Sequence, residues 1–483
     1  MQAMWRHRYR RTTFISAACV SFLIGIGLGS SQQSKASGFL GVLVIVWAIY
    51  RRKTLITLLI VCLIGLALGL IRGGAVHRKL QADDYLVGQK VSLITHASSD
   101  AVYGYSSQLA FDAAHAQLAN GNQLTGDLQI SGFGVNAVYE GDTVAVSGKL
   151  QLGRGRYSYR LNYAQLAVLR HHTSYIAVVK RKFTAGMQTA LPEPLASFAM
   201  GLLIGQRSSL PTDVKQALLM VGLTHIIAVS GYNLTILLNA SQRLFGKLSK
   251  RLSTATALIL MSVFLLLTGF SASIVRAAVV SLLSIWATYY GRNFQPLNLI
   301  LIAAAITAGA KPVYVWSDVS WYLSFLAFFG VLVLAPLIKR GWTQRWRQSL
   351  LAGIALESIC AELMTLPFVL HTFGQMSLIG LPANVLVVTL IPLAMLLSLI
   401  AGLAGMFSWQ FVGWLAWPAQ LLLTYMLDVA TRLSHLPHVF LQNLSCSLPA
   451  MVILYASLAV LTIVSWFKKV SKNVTITDNI TLK

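Results

Sequence analysis

Residues 222–238, GLTHIIAVSGYNLTILL, set polar side chains into an apolar run long enough to lie within a membrane. The polar side chains are His225, Ser230 and Asn233, and two glycines accompany them. A polar group at that depth must bind another part of the protein or face a water-filled path, because lipid offers no hydrogen-bond partner. The segment therefore predicts a membrane core built of helices with a polar interior.

The composition of the whole chain agrees with a polytopic membrane protein. Of the 483 residues, 56% are hydrophobic and only 11% are charged, and the mean hydropathy is +0.67. A soluble domain of this size carries far more charge. The 38 Lys and Arg residues against 14 Asp and Glu give a net charge of +24, which the cytoplasmic-loop bias of membrane proteins accounts for without nucleic acid.

Apolar runs along the chain predict about 11–12 membrane spans. The runs cover residues 14–30, 38–50, 54–71, 223–242, 253–270, 274–290, 296–310, 314–338, 350–371, 377–405, 410–434 and 449–467. Basic residues precede the first run and follow the second, fourth, sixth, eighth and twelfth runs, so both termini are predicted to lie in the cytoplasm of a bacterial inner membrane. The first run has no cleavage site before a mature domain and is interpreted as an uncleaved anchor.

The sequence divides into five predicted parts. They are an N-terminal membrane anchor of three apolar segments (1–80), an extracytoplasmic OB-like β domain (81–182), amphipathic or interfacial helices (183–222), a helical membrane core (223–470) and a short polar cytoplasmic tail (471–483). The β domain is predicted from about five short alternating segments separated by Gly and Asn, which is typical of a small barrel of the OB type.

The second half of the β domain is basic and aromatic. No acid follows Asp142 before residue 183, and three tyrosines alternate with the cations. Cations bind phosphates and flat rings stack on bases, so the pattern favours a surface for single-stranded nucleic acid. The candidate residues are Arg154, Arg156, Tyr157, Tyr159, Arg160 and Arg170. A basic edge facing anionic lipid headgroups explains the charges equally well, with the tyrosines packed under the rim of the barrel.

Six ordered segments resemble the ComEC family of competence proteins. They are GRYSYRLNY (155–163), GLLIGQRSSLP (201–211), GLTHIIAVSGYNLTIL (222–237), LLTGFSASIVRAAVV (266–280), WSDVSWYLSFLAFFGVLVLAP (316–336) and LPFVLHTFGQMSLIGLPANVLVVTLIPLAM (366–395). The similarity runs in order from about residue 155 to 405. Ser158, Gln206 and Asn233 stand where the family usually has Asp, Asp and His.

The resemblance implies a channel that passes single-stranded DNA into the cell during natural transformation. It also implies an extracytoplasmic DNA receptor and a cytoplasmic helicase-type motor as partners, and leaves room for a separate nuclease. Many relatives carry a C-terminal metallo-β-lactamase-like domain, whereas this sequence has no HxHxDH motif and is expected to be a short form with no metal, cofactor or catalytic residue. Since there is no P-loop, the energy for transport must come from a partner.

The polar residues within the spans are the candidate pore lining. They are His225, Ser230, Asn233, Arg276, Asp318, Glu357, Glu362 and Asn384. Arg276 could meet phosphate at the pore mouth, but an ion pair with Asp318 or Glu362 is at least as well favoured. For the others the alternative is hydrogen bonding between helices.

Two other functions stay open at this point. Prolines within the spans predict broken helices, which secondary transporters and flippases for small anions or lipids also have, with the β domain as a lid. An intramembrane hydrolase using Ser230 and His225 is the weaker alternative. No G-x-S-x-G motif is present, and a spacing of five puts the two side chains on different helix faces.

Overall fold

The structure is a computed structural model in which the chain divides into two compact units. The structure describes residues 10–30, 55–103, 108–153, 155–171, 175–206, 210–227, 234, 249–269, 272–291, 295–339, 341, 343, 346, 349–407, 411–444, 446–460 and 462. Unit 1 comprises Met1–Lys182 and Ser241–Trp321, and unit 2 comprises Phe183–Ala240 and Tyr322–Lys483.

The first part of the chain contains two long helices and then a β domain. Its elements are α1 (Arg11–Leu28), α2 (Leu55–Asp83), a 3-10 turn (Asp84–Leu86), β1 (Lys90–Ala97), β2 (Val102–Tyr103), β3 (Leu109–Leu118), β4 (Leu128–Phe133), β5 (Thr143–Leu152) and β6 (Tyr159–Arg170).

The rest of the described chain is almost wholly helical. Its elements are α3 (Tyr175–Ala190), α4 (Leu195–Ile204), α5 (Thr212–Met220), α6 (Thr224–Ile227), α7 (Lys250–Thr268), α8 (Ala272–Tyr289), α9 (Pro296–Ala310), α10 (Val313–Ser317), α11 (Val319–Phe329), a π-helical turn (Gly330–Leu334), α12 (Ala335–Lys339), α13 (Leu350–Phe373), β7 (Met376–Ser377), α14 (Gly380–Val388), α15 (Ile391–Met406), α16 (Val412–Ser434), β8 (Phe440–Leu441) and α17 (Leu448–Val460).

In unit 1, α1 and α2 pack backbone against backbone. A Cβ atom on Gly69 would overlap the carbonyl oxygen of Phe22 and lie 2.8 Å from the Cα of Gly25, and one on Gly29 would lie 2.9 Å from the Cα of Gly73. Residue numbers rise together on the two helices, so α1 and α2 run parallel. Small residues spaced four apart allow such close approach in a membrane, where tight packing replaces the hydrophobic effect.

The β domain of unit 1 closes on itself through its strand pairing. β1 pairs with both β3 and β5, β5 pairs with β6, and β3 pairs with β4. β4 and β6 run parallel and complete a cycle of five strands, and β2 adds to β3. Alternate side chains point inward, and Leu128, Ile130, Leu150 and Leu161 are fully buried in the core. The strands occupy Lys90–Arg170, a narrower range than the predicted 81–182.

The helices confirm a polytopic membrane class. Among the described residues, five helices are long and apolar enough to cross a membrane, or six if one bent pair counts as a single span. The five are Arg11–Leu28, Leu55–Leu86, Lys250–Thr268, Val319–Lys339 and Ala352–Phe373. α8, α9 and α17 are shorter apolar helices that fall on predicted runs. The predicted span 38–50, and 223–242 apart from six residues, lie outside the described residues.

Two predicted spans are broken rather than continuous. In the run 314–338 the helix stops at Asp318, whose φ of −84° and ψ of 97° are extended, before α11 begins. In the run 377–405, α14 and α15 meet at a bend of 49°, and Pro392 lies in the first turn of α15. Proline lacks the N–H that would continue the hydrogen bonding of α14, which explains the break at this point.

In unit 2, α4 is buried, although its segment is predicted to be interfacial. Residues 183–222 are predicted to be amphipathic or interfacial, yet nine of the ten residues of α4 are buried. The composition LASFAMGLLI has no polar face, and a helix that is apolar all round belongs in a protein interior. α4 therefore forms the centre of the main hydrophobic cluster of unit 2, with residues of α3, α14 and α16 around it.

Candidate functional site

The turn between β5 and β6 fixes two of the predicted DNA-binding residues in a network with an acid. The Arg156 guanidinium forms an ion pair with the Asp112 carboxylate on β3. Arg156 Nη2 also donates to the Tyr157 hydroxyl at 2.6 Å, and this hydroxyl donates to Asp112 Oδ1 at 2.6 Å. The charge of Arg156 is thus largely compensated, and the network fastens the turn to β3.

The pKa values of these groups follow from burial and from the shared carboxylate. Burial raises the pKa of Tyr157, and the negative charge of Asp112 raises it further. Burial has the largest single influence on Arg156 and would lower its pKa, but Asp112, Tyr157 and Tyr314 together outweigh it, so the pKa is raised. Arg156 therefore stays cationic and Tyr157 stays neutral at physiological pH.

Tyr159 is a core residue and not part of a surface. Its side chain is 1% exposed, and its hydroxyl donates to the Leu80 carbonyl oxygen at 2.9 Å. Burial also raises the pKa of this tyrosine. A ring enclosed in this way cannot stack on a base, so Tyr159 is corrected from a candidate DNA contact to an anchor between β6 and the end of α2.

Two of the predicted basic residues lie far apart on one strand. Arg160 and Arg170 lie at opposite ends of β6, opposite Gln151 and Thr143 of β5. A rise of about 3.3 Å per residue separates them by about 30 Å. Arg154 lies outside the described residues. Arg160 and Arg170 therefore do not form one compact basic patch.

The cations that follow the sheet have partners within unit 1. Lys180 Nζ lies 3.2 Å from Asp100 Oδ2 and 3.4 Å from Glu140 Oε2. The Arg181 guanidinium carbon lies 3.9 Å from the centre of the Tyr139 ring, a cation–π contact. These groups tie the start of α3 to the β domain.

The β domain is held to the ends of α9 and α10. Lys311 Nζ forms an ion pair with Asp127 Oδ2 at 2.5 Å, just before β4. Ser317 Oγ donates to the Gly155 carbonyl oxygen at 2.5 Å, in the β5–β6 turn. The turn that carries Arg156 therefore lies against the helix break that precedes α11.

At that break, Arg276 of α8 is fully enclosed. Its side chain is 0% exposed, and its Nη1 lies 3.9 Å from Asp318 Oδ2. Nη2 donates to the Ser320 carbonyl oxygen at 2.9 Å, and to the hydroxyls of Ser320 and Ser273 at 3.2 and 3.1 Å. Nε and Nη1 make no hydrogen bond within the described residues. The arrangement corresponds to the ion pair with Asp318, one of the alternatives that the sequence leaves open.

In unit 2, part of the 222–238 segment meets the bent pair of helices. Gly222 has a φ of +76°, and a Cβ there would lie 3.3 Å from the Cβ of Ser377. A Cβ on Gly380, the first residue of α14, would lie 3.3 Å from Glu362 Oε1. Glycine is required at Gly222 by its backbone conformation, and at Gly380 its small size lets the carboxylate approach the N-terminal end of the helix.

Three of the remaining candidates lie among the described residues of unit 2. His225 is exposed, and its Nδ1 lies 3.1 Å from the Gly222 carbonyl oxygen. The Asn384 Oδ1 and Ser377 Oγ atoms are buried without a hydrogen-bond partner among the described residues. Glu357 is exposed on α13, and Ser230 and Asn233 lie outside the described residues.

Three serines in these arrangements could not be predicted as site residues from the sequence. Ser273 and Ser320 accept hydrogen bonds from Arg276. The only indication of these contacts in the sequence is that Ser273 lies one turn before Arg276 and Ser320 lies two residues after Asp318. Ser377 gives no signal at all. Within the described part of the chain, no three His, Cys, Asp or Glu side chains are grouped so as to hold a metal ion.

The sequence of the chain is similar to those of known proteins. The chain is 22% identical over 297 residues to ComE operon protein 3 of Bacillus subtilis (strain 168), a match that covers 60% of this chain but only 37% of that protein. No solved structure matches the chain. The family model described as "Competence protein" matches residues 202–468, more than half of the chain. The chain therefore belongs to the competence protein family.

Proposed function

We propose that the protein is a cytoplasmic-membrane channel that passes single-stranded DNA into the cell during natural transformation. The observation that carries this proposal is the match of the competence family over residues 202–468, which includes almost all of the helices of unit 2 and α7 to α10 of unit 1. The multi-pass helical architecture fits such a role. Both termini would lie in the cytoplasm, and the β domain would lie outside.

The β domain would receive the strand as a small barrel of the OB type. Its cycle of five paired strands has the strand number of that fold, whose members bind oligonucleotides. The fixed contacts from Asp127 to Lys311 and from Gly155 to Ser317 would hold it at the outer ends of the helices. A strand bound there would be presented to the membrane core.

The polar residues of the spans would have different roles in the two units. Arg276 is enclosed with Asp318, so we assign it to positioning the helix break beneath the β domain. In unit 2, Glu362 lies at the start of α14, Asn384 is on α14, and His225 follows Gly222, which also contacts that end of the helix. We assign these residues to the lining of a path beside the bent pair α14 and α15, because irregular backbone in a membrane requires a protein or aqueous surround. Glu357, Ser230 and Asn233 complete the proposed lining.

The proposed channel acts without an enzymatic step or cofactor of its own. An extracytoplasmic receptor would deliver DNA, a cytoplasmic helicase-type motor would pull it, and a separate nuclease would remove the second strand. The test is entry of fluorescently labelled DNA into the cytoplasm of a strain that lacks the gene, with the wild-type chain restored as control. We expect DNA to stay bound outside the membrane in the deletion strain. Undiminished entry into the cytoplasm would contradict the proposal.

The bend between α14 and α15 favours one second function. Discontinuous helices of this kind form the substrate sites of secondary transporters, so a transporter or flippase for small anions or lipids is the alternative. Proteoliposomes that contain the purified protein distinguish the two. Protein-dependent flux of a labelled anion or lipid, together with normal DNA entry in the deletion strain, would favour the transporter.

A further inference from the structure

Three neighbouring strands of the β domain present a face without acids. β4, β6 and β5 are adjacent in the sheet and contain neither Asp nor Glu. Lys149 is exposed on β5 opposite Asn162, and Arg160 is half-buried opposite Gln151. The face is therefore positive without a compensating charge from its own strands, unlike the turn where Arg156 meets Asp112.

Two aromatic rings lie together on this face. The Phe133 side chain is 43% exposed and that of Tyr163 is 72% exposed. Their ring centroids are 6.4 Å apart and their planes are inclined by 38°. Large rings are usually buried because they gain free energy on leaving water. A ring pair kept in solvent beside cations indicates a surface that a ligand covers.

A β-bulge produces the exposure of Tyr163. The pairing of β4 with β6 shifts between Ile130–Leu161 and Gly132–Ala164, so Asn162 and Tyr163 together occupy the place opposite Ser131. Tyr163 has a φ of +54°, a left-handed conformation that a residue with a Cβ adopts at a cost. Bulges of this kind re-aim a side chain, here out of the core.

The bulge is held by hydrogen bonds that cross all three strands. Ser131 Oγ donates to Asn162 Oδ1 at 3.1 Å, and Asn162 Nδ2 donates to Gln151 Oε1 at 3.3 Å. The outward position of Tyr163 is thus fixed by hydrogen bonds within the sheet. Leu161, Ala164 and Leu166 are the buried residues of this part of β6, and Tyr163 lies outside the core.

We propose that Phe133 and Tyr163 form a stacking subsite for the bases of single-stranded DNA, with Lys149 and Arg160 meeting the neighbouring phosphates. This inference rests on the proposed function, since it says which surface of the β domain takes the strand. Rings stack on any base, and cations along the strand track the backbone, so the subsite holds DNA without selecting a sequence.

The experiment measures binding of two probes to the full-length protein in detergent at one salt concentration. One probe is a fluorescent oligothymidine, and the other is an abasic oligomer with the same number of phosphates. Tyr163→Asn removes the ring but suits a left-handed backbone, Phe133→Leu removes the other ring, and Tyr163→Phe keeps the ring as the matched control. Tyr163→Gly replaces Tyr163→Asn if that variant does not fold.

The expected result is specific to bases. Tyr163→Asn and Phe133→Leu should each weaken oligothymidine binding about tenfold or more and leave abasic binding unchanged, whereas Tyr163→Phe should match the wild type. Oligothymidine binding that survives loss of both rings would overturn the subsite while leaving the proposed function in place. Failure of the wild type to bind either oligomer would count against both. If loss of the rings instead weakens only the binding of anionic phospholipid vesicles, the face contacts lipid and the subsite is overturned.

Discussion

Arg276 and Asp318 face each other across 3.9 Å with both side chains enclosed, joining α8 to the break between α10 and α11. Asp318 Oδ1 accepts from the backbone N–H of Ser320, whose carbonyl oxygen accepts in turn from Arg276. The pair therefore sets the geometry of the helix break as well as compensating two charges. Ser317, the residue before Asp318, contacts the β domain through the Gly155 carbonyl oxygen.

Removing one member of this pair should destabilise the protein strongly. Asp318→Leu or Arg276→Met alone leaves one enclosed charge without its partner, which costs about 3–5 kcal/mol. The double variant Arg276→Met with Asp318→Leu should cost less than the two single changes together, because no charge remains. Unfolding temperatures of the purified protein check this, and additive effects of the single changes would show that the two charges do not interact.

The contact between α1 and α2 predicts intolerance of any side chain at its glycines. Gly69→Leu would drive atoms into the carbonyl oxygen of Phe22 and should cost about 3 kcal/mol through overpacking. Leu63→Ala on the same helix is the matched control, because Leu63 is 66% exposed. The yield of monodisperse protein and its unfolding temperature measure the difference. Equal behaviour of the two variants would rule out close packing at Gly69.

The salt dependence of DNA binding should separate Arg160 from Arg156. Each phosphate contact to a single strand contributes about 0.7 to the slope of log affinity against log salt. Arg160→Gln should lower the slope of the full-length protein by about that amount. Arg156→Gln should leave the slope nearly unchanged, because Asp112 already compensates this cation. The reverse pattern would place the strand at the β5–β6 turn.

Alkaline pH should weaken the β domain through Tyr157. Its pKa is raised by burial and by Asp112, so the folded state favours the neutral hydroxyl. The resulting stabilisation is complete below the ordinary tyrosine pKa of about 10 and is lost as the pH rises through the higher folded value. Hydrogen exchange of β3 and β6 between pH 8 and 11 would report the loss. Tyr157→Phe should make the decline shallower, and an unaltered decline would assign it to other groups such as Tyr159.

The periodicity of the sequence explains much of what could be predicted. Apolar runs correspond to helices, and alternation along 142–152 and 163–170 falls on β5 and β6. Strict alternation along β6 also puts Tyr159, Leu161 and Tyr163 on one face, which is correct for the first two. The bulge at Asn162 and Tyr163 then turns Tyr163 to the opposite face. No feature of the local sequence predicts this bulge.

The arrangement of the site depends on contacts between distant residues. The sequence offered Asp318 and Glu362 as partners for Arg276, and spacing along the chain could not decide between them. Compensation of Arg156 depends on Asp112, 44 residues earlier and on another strand. The glycines at Gly25 and Gly29, and at Gly65, Gly69 and Gly73, form a pattern of small residues at every fourth position. Such a pattern predicts close helix packing but does not identify the partner helix.

The parallel course of α1 and α2 has a consequence for membrane orientation. Two helices locked side by side in the same direction cross the bilayer in the same sense, so their first residues emerge on one surface and their last residues on the other. Whichever way α1 inserts, the strands that follow α2 must lie on the side where α1 ends. A reporter placed before Arg11 and another placed in the β domain should thus always read opposite compartments, even in variants whose basic loops have been rearranged.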